Sequence, residues 1–366
     1  MVYCEICARH KGERLCIELG DWLCPECCVQ HWVVAGHTVR FFWRTARHQS
    51  EKGWKITLAG DHLLMCRSRI ITLLTDFGNQ DAYVGIMKGV IAGINPLPNI
   101  IDICHNIPPQ DIFNGAFLLS TAYRYFPKGT IHVAVVDPGV GSQRDIVCVE
   151  IRDHLFLVPD NGLLSFVVQE ERPKSIVRVT NDSYFLPSFS NTFHGRDVFA
   201  PVAAYLSLGT KPRQLGFKIN QLKQLNIPRP EAKKTGQLDG QIIYIDRFGN
   251  LITNIKREDI VHFERNHSLN RGLGSGSRWQ KPDAIKKTSK EKIVSQRDTI
   301  ETAIGRKKII GLSKTYMDVK PGEPLVLFGS ADFLEVSVNQ GNARKYFRAD
   351  RGNKIRVEMG HPYATL

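Results

Sequence analysis

The sequence lacks any apolar run long enough to cross a bilayer. Its first residues, MVYCEICARHKG, have no apolar core of the kind a secretory signal needs. Both absences lead us to expect a soluble, cytoplasmic protein. Cysteine is scarce past residue 28: of nine, only Cys66, Cys104 and Cys148 lie beyond it. Without a secretion signal a disulfide-stapled fold is not expected, and the six clustered N-terminal cysteines read as metal ligands in a reducing compartment. The Gly-rich grips for nucleotides are missing as well. DPGVGSQR (residues 137–144) has no Lys-Ser/Thr, and no Gly-x-Gly-x-x-Gly opens the first helical pattern, so a ligand held by its phosphates is not expected. The net charge is +13, yet few aromatic residues are interleaved with the basic ones, which argues against a nucleic-acid groove. Much of that charge, 14 Lys/Arg against 7 Asp/Glu, falls between Lys256 and Lys308. There RNHSLNRGLGSGSRWQKPDAIKKTSKEK reads as a solvated, disordered insertion near residues 265–305.

With 366 residues, two or three domains are expected. Residues 1–38 are rich in Cys and His, and residues 39–69 form a connector without clear period. From residue 70 the pattern changes. RIITLLTDFG is a strand running into a turn, and AYVGIMKGVIAGINP places Val84, Met87, Ile91 and Ile94 on one helical face. NIIDICHNI is a second strand, QDIFNGAFLLSTAYRYFP a helix with Ile112, Ala116, Leu119 and Tyr123 in register, and TIHVAVV a third strand. This alternation predicts an α/β domain with a parallel sheet over residues 70–215. After a Pro/Lys-rich connector, GQIIYIDRFGNLITNI, EPLVLFG, FLEVSV and KIRVEMG are strands with little helix between them. Residues 236–366 are therefore expected to form an all-β barrel or sandwich.

Ligand sites of open α/β sheets lie beyond the carboxyl ends of the strands. Three strands here end there in polar residues: Asp76 after ITLLT, Asp137 after AVV, and Asp160-Asn161 after LFLVP, each followed by glycine. In the second loop Arg144 follows Asp137 by seven residues, so a carboxylate and a guanidinium share one turn. They either hold a small polar species or brace the loop. TFHGRDVF adds His194 at a helix start, where a cap or a packed side chain is the commoner use.

The ordered motifs LLTDFG, DAYVGIMKGVI, IDICHNIPPQD, YFPKGTIHVAVVDPGVGS, VPDNGLL, TFHGRD, IDRFGNLITNI, GLSKTY and VNQGNA resemble the S-adenosyl-L-methionine hydroxide adenosyltransferase family. These are relatives of the fluorinating and chlorinating enzymes. The likeness runs from about residue 70 to the C-terminus. It implies an α/β domain followed by a β-barrel, and a homotrimer that binds substrate between one subunit's N-terminal domain and its neighbour's C-terminal domain. It also implies that water, acting as hydroxide, attacks the ribose C5′ of S-adenosyl-L-methionine and releases adenosine and L-methionine. The family's Asp–Arg–His triad falls on Asp137, Arg144 and His194. Because the leaving group is a sulfonium, no acid is needed at the departing atom. The task is to position a water and take its proton. His194 or Asp137 could be the acceptor. By the same resemblance Asp76 would meet the ribose hydroxyls, Phe193 and Phe248 the adenosine portion, Asp246 the methionine ammonium, Asn250 the adenine, and Asn339 the methionine carboxylate. Phe248, Gly249 and Asn250 read equally as a plain hairpin turn. Halide transfer ranks behind hydrolysis, because halogenating relatives typically have tyrosine where Asp137 stands. A sensor that binds without turnover is the alternative from another class.

The N-terminal stretch has Cys4-x2-Cys7, Cys16, Cys24-x2-Cys27, then His31 and His37. Two such knuckles can close a tetrahedral zinc site from Cys4, Cys7, Cys24 and Cys27. The spacing resembles a B-box zinc finger, which implies a second ion on Cys16, His31 and His37, with Leu19 where that family usually has a ligand. About 40 residues bury little core, so zinc would supply the folding energy, and a protein partner for the finger is implied.

Overall fold

The computed structural model describes the paired stretches within residues 14–23 and residues 70–233, 236–272 and 300–359. Near the N-terminus β1 (Arg14–Leu15) and β2 (Trp22–Leu23) pair antiparallel, Arg14 opposite Leu23. The remainder forms two compact units. One comprises residues 70–115 together with Ala122–Lys223; the other takes Ala116–Thr121 and the described residues from Gln224 onward.

The first unit is built on seven strands: β3 (Ile70–Thr75), β4 (Asn99–Cys104), β5 (Ile131–Val135), β6 (Ile146–Ile151), β7 (His154–Pro159), β8 (Ser175–Val179) and β9 (Gly216–Lys218). Their order is β4-β3-β5-β7-β6-β8-β9. The half β4-β3-β5-β7 is parallel, as the strand–helix alternation predicts, and every residue of β5 is buried. The other half is antiparallel, so the sheet is mixed. The reason is local. Only Arg152, in the left-handed region at φ 53°, and Asp153 separate β6 from β7, with Ile151 opposite His154. Two residues close a hairpin, whereas a parallel return needs a dozen or more. The helix α1 (Tyr83–Ile94) buries Val84, Met87 and Ile91, one face at spacings of three and four. They pack with Ile71, Leu73 and Val133 of the sheet and with Val202 and Leu206 in one core.

In the second unit the strands are β10 (Glu231–Lys233), β11 (Gln237–Ile245), β12 (Leu251–Lys256), β13 (Ile300–Ile304), β14 (Lys307–Ile310), β15 (Pro324–Phe328), β16 (Phe333–Val338) and β17 (Lys354–Met359). All pair antiparallel, in the order β14-β13-β17-β11-β12-β16-β15, with β10 added to β11. The two ends, β14 and β15, approach each other, giving a nearly closed barrel. Leu238, Ile242, Ile255, Val336, Ile355 and Val357 fill it. A helix over residues 257–272 follows β12 and buries Ile260 and Phe263. Residues 273–299, the middle of the basic stretch, lie outside the described residues. So do Cys4, Cys7, Cys16, Cys24, Cys27, His31 and His37.

Candidate active site

A cleft of about 430 Å³ opens at the carboxyl ends of β3 and β5, within the range of small-molecule sites. Asp76 directly follows β3, and Asp137 stands two residues past β5, where the sequence predicts charge at the sheet edge. Asp76, Asp137, Phe193 and His194 all line it. Pro138 and Gly139 begin the turn that brings Arg144 back. Gly141 has φ 76°, and a Cβ there would collide with the Asn191 carbonyl, so glycine allows this loop to lie against the segment before His194.

The returning guanidinium clamps one carboxylate oxygen. Arg144 Nε donates to Asp137 Oδ2 at 2.7 Å, and Nη2 donates to the same oxygen. Both side chains are buried, 7% and 4% exposed. Nη2 also lies 2.8 Å from His194 Nδ1. A guanidinium has only donors, so Nδ1 must accept, and the neutral ring carries its proton on Nε2. Burial, and then the Arg144 charge, hold the His194 pKa below the usual imidazole value, which keeps the ring neutral. Two atoms of this trio have no partner among the described residues: Asp137 Oδ1, an acceptor, and His194 Nε2, a donor in this tautomer.

His194 precedes a π-helical turn, Gly195–Phe199, that leads into the helix Ala200–Ser207. Ala200 N donates five residues back to the Gly195 carbonyl. Pro201 has no N–H to give the Asp197 carbonyl, which accepts from Leu186 N at 2.9 Å instead. The Asp197 carboxylate is fully buried and takes Ser190 N at 2.8 Å and Arg196 Nε at 2.6 Å. Arg196 and Asp197 therefore brace the loop that carries Thr192, Phe193 and His194.

On the opposite wall Asp76 Oδ2 accepts from Gln110 N at 2.7 Å. Phe193 packs edge-on against Tyr83 and Phe77, at 5.1 and 5.9 Å between ring centroids. Phe77, Tyr83, Gln110, Val140 and Thr192 are cleft residues that the sequence alone does not single out. Of these, Phe77 had a signal, since it follows a sheet-edge acid, whereas Gln110 shows itself only through its backbone, at φ 65°. Asp160 and Asn161 do not line the cleft. Asp160 Oδ1 takes Lys223 N at 2.9 Å, and Asn161 Nδ2 donates to the Val136 carbonyl at 2.8 Å, securing the residue before Asp137.

The remaining candidates lie in the second unit. Asp246 Oδ1 accepts from Phe248 N at 2.9 Å and Asn250 N at 2.8 Å, while Oδ2 accepts from Asn250 Nδ2 at 2.8 Å. The turn between β11 and β12 is thus braced by the same side chains that the family resemblance assigns to ligand. Phe248 stands 73% exposed at its tip. Asn339 is buried and donates to the Val319 carbonyl at 2.7 Å. Among the described residues no group of three or more His, Cys, Asp and Glu could hold a metal, and no helix is long and apolar enough to cross a membrane.

Residues 71–216 match the family model for the SAM hydroxide adenosyltransferase N-terminal domain, and residues 240–281 and 283–356 the model for its C-terminal domain. A protein of Methanocaldococcus jannaschii named (R)-S-adenosyl-L-methionine hydrolase is 35% identical over 79% of this chain and 95% of its own length. A fluorinase of Actinoplanes is 28% identical over 52% of the chain and 73% of its own. The crystal structure of an uncharacterized conserved protein from Thermotoga maritima superposes with a TM-score of 0.67 at 32% identity, covering 78% of this chain and 99% of that one. The chain belongs to the S-adenosyl-L-methionine hydroxide adenosyltransferase family.

Proposed function

We propose that the protein hydrolyses S-adenosyl-L-methionine to adenosine and L-methionine, with Asp137, Arg144 and His194 acting on the attacking water. The observation that carries the assignment of roles is the pair of unmatched groups in the cleft. Among the described residues Asp137 Oδ1 lacks a donor and His194 Nε2–H lacks an acceptor. Both residues line the cleft, and one water between them would satisfy both, giving a hydrogen to the carboxylate and taking one from the imidazole. As the oxygen bonds to C5′ and the C5′–S bond breaks, the electron pair leaves with sulfur, neutralising the sulfonium, and the proton passes to Asp137 Oδ1. Arg144 holds the carboxylate and the ring in register. His194 orients the water and is not the base, because a lone pair on Nε2 would turn Nδ1–H against the Arg144 donor.

Substrate contacts follow the resemblance. Asp76 has Oδ2 on Gln110 and meets the ribose hydroxyls with Oδ1. Phe193 and Phe248 flank the adenosine portion. Asp246 takes the methionine ammonium, Asn250 reads adenine and Asn339 meets the methionine carboxylate. A homotrimer with composite sites is part of this reading, as is a cytoplasmic location; sedimentation giving a monomer at assay concentration would reject the trimer. The test of the activity is a product assay by chromatography, with and without chloride. Adenosine and methionine are expected in both. Tight binding without turnover, or a chlorinated nucleoside, would overturn hydrolysis.

The N-terminal module is proposed to bind structural zinc through Cys4, Cys7, Cys24 and Cys27, with Cys16, His31 and His37 at a second ion and a protein as the finger's partner. The spacing of the knuckles supports it, as do β1 and β2, which pair in the interval between them. Four thiolates leave no open coordination position, which is the arrangement of a structural rather than a catalytic zinc. Elemental analysis of the purified chain is expected to find at least one zinc per chain, lost on Cys4→Ser/Cys7→Ser replacement. A metal-free protein would reject the finger.

A further inference from the structure

The water-activating trio makes no use of a second buried imidazole nearby. His105 follows β4, its side chain is 4% exposed, and its Nδ1 lies 2.8 Å from Thr75 Oγ1. Thr75 is the fully buried last residue of β3, and its Oγ1 accepts from Phe77 N at 3.2 Å. On the far side of the same turn Gly78 N donates to the His105 carbonyl at 2.8 Å. The two residues between these ties, Asp76 and Phe77, both line the cleft. His105 thus grips the turn from both ends without touching the cleft.

We propose that His105 is a positioning residue that fixes, through Thr75 and its own carbonyl, the turn presenting Asp76 and Phe77 to substrate. Hydrogen-bond directions agree with this. Thr75 Oγ1 receives the Phe77 N–H on a lone pair and gives its own proton to Nδ1, because the Asp102 carboxylate beside Nε2 can only accept and so places the ring proton on Nε2. There it faces Asp102 Oδ1 at 3.1 Å, and Asp102 Oδ2 receives Lys88 Nζ at 2.6 Å. The contact of Nε2 with Asp102 is not a well-aligned hydrogen bond. The well-formed bond is the one to Thr75, which makes Nδ1 the functional atom of the ring. The inference rests on the reading of Asp76 as the ribose contact.

That distinction sets the test. Asparagine places a polar atom where Nδ1 stands, whereas glutamine reaches the position of Nε2 and leaves the Thr75 hydroxyl proton without its acceptor. Adenosine affinity is measured by calorimetry on the full chain, and KM and kcat on S-adenosyl-L-methionine, for His105→Asn, His105→Gln, Thr75→Val and Asp76→Ala. His105→Gln and Thr75→Val are expected to weaken adenosine binding and raise KM about tenfold, the scale of one lost hydrogen bond, with kcat little changed. His105→Asn is expected to stay near wild type. In an Asp76→Ala background His105→Gln should cost less than it does alone, since part of its effect passes through Asp76. If His105→Gln and Thr75→Val bind adenosine as tightly as wild type while Asp76→Ala binds weakly, His105 has no positioning role. That role is equally excluded if the His105→Gln loss adds in full to that of Asp76→Ala. If Asp76→Ala binds like wild type, the ribose reading itself is wrong. Thermal melts identify variants that fail to fold, and Thr75→Val keeps the side-chain shape should His105→Gln be one of them.

Discussion

Replacing Asp137 by asparagine is expected to lower kcat by something on the order of 10² to 10⁴, the usual worth of a positioned base, while leaving KM little changed. Asparagine keeps the shape of the side chain but offers no site for the departing proton. Its effect should exceed that of His194→Gln, because a glutamine amide can still donate near the position of Nε2. His194→Ala, which offers no donor, should fall further than His194→Gln. A second signature lies in the pH profile. Since burial and Arg144 depress the His194 pKa, loss of activity through imidazolium formation belongs below the ordinary value of 6.5. An acidic limb in kcat/KM centred at or above 6.5, or an Asp137→Asn enzyme that keeps most of its turnover while His194→Gln is dead, would assign the base to His194 instead.

Mild acid is expected to destabilise the first unit well before its carboxylates titrate. His132 on β5 is fully buried, with Nδ1 2.8 Å from Thr72 Oγ1 and Nε2 3.2 Å from His154 Nδ1. Burial, with the neighbouring His154 charge, pushes its pKa down to about 3. Unfolded, the ring returns to the ordinary 6.5. Between these values the unfolded chain binds one proton more than the folded one, so stability is full above pH 6.5 and falls as pH drops towards 3. The slope is about 1.4 kcal/mol per pH unit, which makes roughly 2 kcal/mol between pH 6.5 and 5. His154, whose pKa burial also lowers, adds to the effect. Urea unfolding at pH 7.5, 6.0 and 5.0 measures it. A midpoint that stays constant or rises on acidification would show that the pair titrates normally within the fold.

The parallel half of the sheet is legible in the sequence because strand and helix periods alternate at full length. The antiparallel half hides behind two residues. Arg152 and Asp153 carry no Asn-Gly or Gly-Gly, so nothing in their chemistry announces a hairpin, and only the short gap between IVCVEI and HLFLVP does. The site divides in the same way. Asp76 and Asp137 stand out because charge at the end of a buried strand needs a reason, and Arg144 because it shares a loop with Asp137. His194 lies 50 residues from Arg144. No local pattern could place it there, and its assignment came from resemblance. Tyr83 and Thr192 are ordinary residues whose place on the cleft wall is decided by packing. In the second unit, the turn chemistry of Asp246 and Asn250 is readable, but it does not distinguish a brace from a ligand contact.

The π-helical turn after His194 carries one residue more than an ordinary helical turn would. Each residue added or removed there rotates everything beyond it by about 100° around the helix axis. A deletion would send Phe199 and Val202 away from the core and shift Pro201 off the position that frees the Asp197 carbonyl. The stretch between His194 and Pro201 is therefore fixed in length as well as in the side chains it buries, Asp197, Val198 and Phe199. It acts as a spacer whose residue count, together with the Asp197 brace, sets the histidine against the arginine.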